Sequence, residues 1–551
     1  MKIRNGFTLI ELLAVIVILA IIMLIAGPLV LNLVNKARKD TFESTAYGII
    51  EASNYNYETE LLNSNQVDST SFTYEDGVES SNPAGKHLNY KGERPKSGMV
   101  VIDKDGKIAM AIYNGQFCVE KDYDDAEVQI SDDKTEAECT VIFNADTSGA
   151  NPPELAPNMI PIKWDGSKWV KADLNNIAGS NQWYDYNAQK WANVVLVSQA
   201  SRAGYLSAAM GTEIHESDVM AYLVWIPRYR YTLFNIEASS IPINEINIIF
   251  EPSTKAKSLW NTNGLTYTHP AFSFGDKELN GFWVGKFETT GSDTTPTIKP
   301  NSLSLSNQTA SAQFTTAQLF NSSTVYGLAA ANDAHMMKNI EWGAVACLSQ
   351  SKYGKFGNSI YTGATGLEKE IYINNINTDL TTGNGSTITG CAGATVSAAM
   401  IRNNACPSEN QYHANQGIKA STTGNIYGIY DMAGGIYDRV LGGTYNSDGV
   451  TINKSNSGFT VSIDDDVFSK YIDKYSYSTS YTSYSRRILG DATGETRGWN
   501  GDYIRMPYSS SPWIERGQLY SATTEAGLFA TSSSSGVASP AVTFRVVTIV
   551  K

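Results

Sequence analysis

An apolar run from Leu12 to Val34, entered through Gly6-Phe7-Thr8-Leu9-Ile10-Glu11, decides where this chain resides. About 23 residues at a rise of about 1.5 Å make roughly 35 Å of helix, enough to cross a bilayer core of about 30 Å. Ahead of Phe7 stands a short polar leader with Lys2 and Arg4, too short for the apolar core of an ordinary signal peptide, so its charge marks only the cytoplasmic end. A membrane span is the minimal expectation. Glu11 sits at the start of the run, where a lone carboxylate entering hydrocarbon costs up to roughly 3 kcal/mol, so it needs a cationic partner. The amine that a cut after Gly6 would create on Phe7 of a neighbouring copy is such a partner. Gly27-Pro28 removes one backbone donor and loosens the turn before it, so the helix can bend or melt locally there.

Gly6-Phe7-Thr8-Leu9-Ile10-Glu11-Leu12-Leu13 resembles the processing site of class III signal peptides in type IV prepilins and type II secretion pseudopilins. The resemblance implies that a prepilin peptidase cleaves after Gly6 and that the new N-terminal Phe7 is methylated. It also implies that Glu11 pairs with a neighbour's amine during assembly. Pro28 matches the helix-breaking proline of many pilins.

At 551 residues the chain has room for several domains with proper cores. A net charge of −13 argues against nucleic acid as a partner, because phosphate binding needs a basic surface. Only 18% of residues are charged, and Ser, Thr, Asn, Gly and Tyr supply a small-polar and aromatic surface of the kind found on extracellular β-rich and carbohydrate- or protein-binding modules. The five cysteines, Cys118, Cys139, Cys347, Cys391 and Cys406, form no Cys-x-x-Cys pair and the histidines are scattered, which disfavours zinc. In an exported body Cys118 with Cys139, and Cys391 with Cys406, are disulfide candidates, each worth roughly 3 kcal/mol. Cys347 is left as a small buried residue on a helix.

Along the chain, residues 1–6 form the leader and 7–62 a long helix, whose soluble half carries Ala46, Ile49, Ile50 and Ala52 near helical spacing. Residues 63–144 hold short apolar runs at 99–103, 107–113 and 140–143, with Asp103-Lys104-Asp105-Gly106 as a turn, and predict a small antiparallel sheet of three or four strands. A long helix backed by such a sheet resembles a pilin body, and the Cys118 to Cys139 segment resembles its disulfide-bounded loop. Residues 145–159, with Pro152, Pro153 and Pro157, read as a linker to a large module over 160–551. In that module hairpin-like segments are expected at 162–170 and 182–187, strands at 221–229 and 281–290, a helix at 338–346, a strand and glycine turn at 425–435, and a last strand at 542–547.

Several phrases of the module resemble the formylglycine-generating enzyme family, a variant of the C-type lectin fold. They are Lys286-Phe287-Glu288-Thr289-Thr290, Glu341-Trp342, Gly428 to Gly435, Arg516-Gly517 and Phe544-Arg545. The expected fold class is therefore α+β: a pilin helix and sheet, then a lectin-like head with limited regular secondary structure. The oxygen-dependent enzymes of that family use a copper-binding cysteine pair near the C-terminus, but no cysteine follows Cys406 and no hydroxyl replaces a thiolate. The chain is thus expected not to be an enzyme and to need no cofactor. Asp464-Asp465-Asp466, and Asp122 with Asp124-Asp125, could gather calcium but lack the alternating oxygen ligands of a dedicated loop.

Between Tyr471 and Trp513 many Tyr and Trp alternate with Ser, Thr, Asn and Asp, the residue types of antibody paratopes. Trp513 to Gly517, Ala526 to Ala530 and Phe544 to Val547 also look like scaffold residues of variable proteins diversified by retroelements. That resemblance implies ligand-facing positions at Trp499, Asn500, Asp502, Tyr503, Arg505, Tyr508, Ser510, Trp513 and Tyr520. The reading is a minor or tip subunit of a type IV pilus acting as an adhesin. It resides in the cytoplasmic membrane before assembly and at the cell surface after it. Its expected partners are other pilins, a prepilin peptidase and a surface protein or glycan. The rivals are a secretion or competence pseudopilin that binds exported cargo or DNA, and a pilin-tethered exported enzyme.

Overall fold

The computed structural model describes residues 9–550 apart from 64–69, 83–84, 103–105, 124, 137, 140–145, 177–179, 233–242, 244, 259–265, 359–369, 378–386, 453–457 and 461–468. The side chains of residues 11, 19–29 and 31 also lie outside the description. The chain divides into two compact units, Met1–Ala145 and Asp146–Lys551.

The first unit is built on α1 (Leu9–Asn63), a helix of 55 residues that runs unbroken through Gly27-Pro28. Its two halves obey different rules. Residues 12–18 are all exposed, so the helix is apolar around its full circumference there. Farther along, Phe42, Ala46, Ile49 and Ser53 are buried at helical spacing and form one stripe facing the sheet. Among the described residues, no helix is long and apolar enough to cross a membrane.

The sheet has six strands rather than the three or four expected. They are β1 (Thr70–Glu75), β2 (Val78–Asn82), β3 (Ser97–Ile102), β4 (Ile108–Tyr113), β5 (Cys118–Lys121) and β6 (Gln129–Ser131), ordered β2-β1-β3-β4-β5-β6 and antiparallel throughout. Only β3 and β4 match the expected runs; β5 and β6 are too short to show a pattern, and β1 and β2 escape detection because they are mostly Ser, Thr and Glu, with Phe72 and Tyr74 turned into the core. The expected strand at 140–143 lies outside the described residues. A disulfide joins Cys118 to Cys139.

The second unit contains two main sheets. The seven-stranded one runs, in spatial order, through His335–Met336, Val546–Thr548, Gly281–Gly285, Val219–Pro227, Asn193–Val197, Ile160–Trp164 and Trp169–Lys171. Strands from both ends of the unit therefore share one sheet, with the fully buried Asn193–Val197 and Gly281–Gly285 near its centre. Trp225 and Trp283 pair across strands with ring centroids 5.2 Å apart. A Cβ on Gly281 would stand 2.4 Å from the Trp225 ring, so only glycine fits there. The second sheet orders Asp473–Tyr475, Tyr437–Thr444, Trp513–Arg516 and Thr531–Ser534, with Val542–Phe544 also paired to Tyr437–Thr444. The helix Asn339–Ser349 is buried along its whole length.

Three expectations change in this unit. The stretch 146–159 is not a free linker but part of the core: Ala150, Ala156 and Met159 are buried, and the Asn151 and Glu154 carbonyls accept from the indole N–H groups of Trp225 and Trp283 at 3.2 and 2.7 Å. Its prolines hold an extended path across the sheet rather than a spacer between bodies. The segment 425–435 forms no strand; it is an irregular loop whose carbonyls turn inward onto a lysine. The final strand is broken at Arg545 into Val542–Phe544 and Val546–Thr548, one half in each main sheet.

Candidate functional site

Gly6 and Phe7 lie outside the described residues, as do the side chains of Glu11 and Pro28, whose backbone is helical. The structure adds the character of the helix behind them. Leu9, Ile10 and Leu13 are 86%, 76% and 61% exposed, and Leu12, Ile16 and Ile18 each exceed one half. Apolar surface on this scale demands cover, from lipid or from helices of other copies.

In the second unit the phrases singled out in the sequence meet in one buried polar framework. The Lys286 ammonium, fully buried, donates to Asn193 Oδ1 at 2.8 Å, to the Ile426 carbonyl at 2.6 Å and to the Gly428 carbonyl at 2.8 Å. It also lies over the rings of Trp169 and Tyr430. Burial holds its pKa well below the usual lysine range. Arg545 bridges the two sheets: it donates to the Gly285 carbonyl at 2.8 Å, the Tyr430 carbonyl at 2.9 Å and Asp438 Oδ2 at 3.1 Å. Glu288 and Asp431 lie in the same region. Glu288 accepts from Ser304 Oγ, while Asp431 accepts from the Gly390 N–H and from Asn374 Nδ2.

Glu288, Asp431 and Asp438 thus face a single guanidinium, and burial pushes all three carboxyls upward, Asp431 to about 6. For Glu288 the charges of Asp431 and Asp438 add to burial in raising it. The Glu-Trp phrase is equally structural: Glu341 accepts the Lys338 N–H at 2.7 Å and pairs with His335 at 3.1 Å, while Trp342 donates to the Leu528 carbonyl at 2.9 Å. Arg516 stacks on Trp342 and donates to Asn339 and to the carbonyls of Asp491, Ala492 and Leu528.

The nine positions expected to face a ligand separate into two groups. Trp499, Asp502, Trp513 and Tyr520 are buried. Trp499 packs on Phe529, Trp513 packs on Phe459, and Asp502 accepts the Phe529 N–H at 2.8 Å. These residues build the core beneath the surface and are corrected out of the candidate site. Asn500, Tyr503, Arg505 and Tyr508 are half-buried and Ser510 is exposed. Arg505 packs against two rings that meet edge to face with centroids 6.0 Å apart, lying 4.8 Å from that of Tyr481 and 5.1 Å from that of Tyr508, and donates to Tyr508 Oη at 2.6 Å. Hydrogen bonds with Ser511 and Arg505, and the charge of Arg505, lower the Tyr508 pKa. Two loops are sewn together here: the Met506 N–H donates to the Tyr481 carbonyl and the Ser509 N–H to the Ser478 carbonyl. Arg486 donates to the carbonyls of Ser476, Ser480 and Pro507.

Sequence reasoning missed Glu370 and Asp438, the first because an isolated charge among irregular loops carries no periodic signal, the second because a lone acid in the strand Tyr437–Thr444 reads as a solvent-facing position although it is buried. Cys347 is a free, buried cysteine, and a disulfide joins Cys391 to Cys406. Among the described residues no three His, Cys, Asp or Glu side chains gather as metal ligands. Asp464, Asp465, Asp466 and Asp124 lie outside them.

Residues 1–27 match the family model described as the prokaryotic N-terminal methylation motif. The chain matches no curated protein. The motif implies processing by a prepilin peptidase, anchoring in a membrane before assembly, and assembly with other pilins. The chain carries a type IV prepilin-like N-terminus.

Proposed function

We propose that this chain is a minor or tip subunit of a type IV pilus that acts as an adhesin, its second unit forming a lectin-like, ligand-binding head outside the cell. The observation that carries the reading is the methylation motif at residues 1–27, standing on a 55-residue helix whose first part is apolar on every side and exposed. Size supports a minor or tip position. A body spanning Asp146–Lys551 on every subunit would crowd helical packing, whereas one at the end of a fibre clashes with nothing.

A lectin-like, formylglycine-generating-enzyme-like scaffold is supported by the convergence of Lys286, Glu288, Trp342, Asp431, Arg516 and Arg545 in one core. The head serves binding rather than catalysis in this reading, because no cysteine follows Cys406. Asn500, Tyr503, Arg505, Tyr508 and Ser510 are its surface positions, and a neighbouring reverse transcriptase with a template repeat would mark them as diversified.

Mass spectrometry of the mature chain tests the assembly half, with a methylated Phe7 as the expected N-terminus. Glu11→Ala is expected to be processed normally and to be absent from sheared filaments. A mature polypeptide that begins at Met1, or Glu11→Ala incorporated as well as the parent, overturns the reading. Labelling along whole fibres overturns the minor or tip position alone.

A further inference from the structure

The stretch Tyr471–Trp513 separates its charges by depth. Its four acids, Asp473, Asp491, Glu495 and Asp502, are all buried, whereas Lys474, Arg486, Arg487, Arg497 and Arg505 all reach solvent. On a chain of net charge −13 this stretch therefore shows only positive charge to water. At its centre Tyr481 is 46% exposed and Tyr477 43% exposed, and Arg505 packs against the rings of both Tyr481 and Tyr508, which meet each other edge to face. Arg486 ties the 476–480 loop to Pro507, so the two loops that present these groups are held as one platform. Its rim is hydroxyl-rich, with Ser476, Thr479, Thr482 and Ser510 exposed.

Resting on the reading that the head binds a ligand through this surface, we propose that the ligand is an acidic polysaccharide built of carboxylated sugars. Each part of the platform matches one part of such a chain. Tyrosine faces stack on the C–H faces of pyranose rings and offer a phenol at the edge. The Arg505 guanidinium, which keeps one Nη on Tyr508 Oη, offers its charge to a sugar carboxylate, and the rim hydroxyls exchange hydrogen bonds with sugar hydroxyls. The cations that reach solvent along this stretch favour encounter with a polyanion here. A nucleic acid fits less well. Its phosphates need a row of cations to release their counterions, and the acidic body would repel a strand running beyond the platform.

The test uses the full chain in detergent, with immobilised polygalacturonate, the same polymer fully methyl-esterified, and single-stranded DNA as probes. Polygalacturonate is expected to be bound, and its ester, which keeps the rings but loses the charge, to be bound at least about tenfold more weakly. Arg505→Met and Tyr481→Ala are each expected to lower binding about tenfold, while Lys277→Met, at an exposed lysine outside the stretch, leaves it unchanged. Unaltered melting of Arg505→Met and Tyr481→Ala establishes that the platform, not the fold, has been changed. Equal binding of the ester, equal or tighter binding of DNA, full binding by Arg505→Met, or no binding of polygalacturonate overturns the proposal. The head's adhesive role is scored separately, by attachment of filaments carrying Tyr481→Ala to the organism's natural surfaces. Loss of attachment without polygalacturonate binding rejects the acidic sugar and keeps the adhesin. Full attachment rejects this surface as the adhesive one.

Discussion

Replacing Arg545 with methionine keeps most of the side-chain volume and removes a guanidinium that joins the two main sheets of the second unit. Three acceptors lose their donor: the Gly285 carbonyl at 2.8 Å, the Tyr430 carbonyl at 2.9 Å and Asp438 Oδ2 at 3.1 Å, around a residue with no solvent exposure. An orphaned buried acceptor costs about 1–3 kcal/mol, and breaking a buried pair on one side about 3–5 kcal/mol. Because Asp438 can take up a proton in place of its lost partner, the expected loss is about 3–5 kcal/mol rather than the sum.

That escape route makes the loss depend on pH. Burial already raises Asp438, Asp431 and Glu288, while the charge of Arg545 draws all three down. Without the arginine their folded pKa values rise further above the unfolded ones. An acid raised in the folded state contributes most below its unfolded pKa, and that contribution is lost as pH rises through the folded value. The penalty of Arg545→Met therefore grows between pH 5 and pH 8, by about 1.4 kcal/mol for each further pKa unit. All ten tryptophans lie at or beyond residue 164, so tryptophan fluorescence of the full chain reads the second unit alone. A loss below about 1 kcal/mol, or a penalty that shrinks as pH rises, refutes the account of Arg545 as the counter-charge of this cluster.

Other expectations follow from single contacts. Glu370→Gln tests a second buried acid pair: burial and the neighbouring Asp502 push Glu370 up to about 10, and burial pushes Asp502 to about 6. Both folded values exceed the unfolded ones, so this pair costs the parent stability as pH rises from about 4 toward 10, and Glu370→Gln is expected to melt with a flatter pH profile between pH 5 and 9. Parallel profiles would contradict it. Gly343→Ala places a Cβ 1.9 Å from the Gly490 carbonyl oxygen, backbone against backbone, and is expected to cost about 3 kcal/mol or to fail to fold, read by the same fluorescence melt. Cys391→Ser with Cys406→Ser opens a loop with sequence separation 15 and is expected to lose about 3 kcal/mol, with Cys347 staying unreactive to alkylation until the unit unfolds.

The stem is legible in the sequence because its two halves carry two different hydrophobic patterns, one continuous and one at helical spacing, and periodicity reports both. The sheet behind it is only partly legible, since the pairing of β1 with β2 rests on backbone hydrogen bonds between side chains as polar as those of a loop. In the head, the tryptophan-rich strands announce themselves, but the stretch from Tyr471 to Trp513 does not. Its short 3-10 turns and bends have no fixed period, so nothing in the spacing of Trp499, Tyr503, Tyr508 and Trp513 says which ring faces inward. The same absence hides the acids. Asp491, Glu495 and Asp502 look like surface charges when read along the chain, yet all three are buried among backbone donors.

Those buried acids explain why the surface above them is basic. Each accepts from the backbone: Asp491 from the N–H groups of Ile488 and Thr493, Glu495 from those of Gly490 and Ala492, and one oxygen of Asp502 from that of Phe529. Loops without a regular ladder need side-chain acceptors for their inward-turned N–H groups, and a carboxylate serves two of them at once. A stretch that spends its acids inside has only its lysines and arginines left to face water. The positive face of this acidic protein is thus a consequence of how an irregular loop is held, and any ligand that meets the platform meets that charge first.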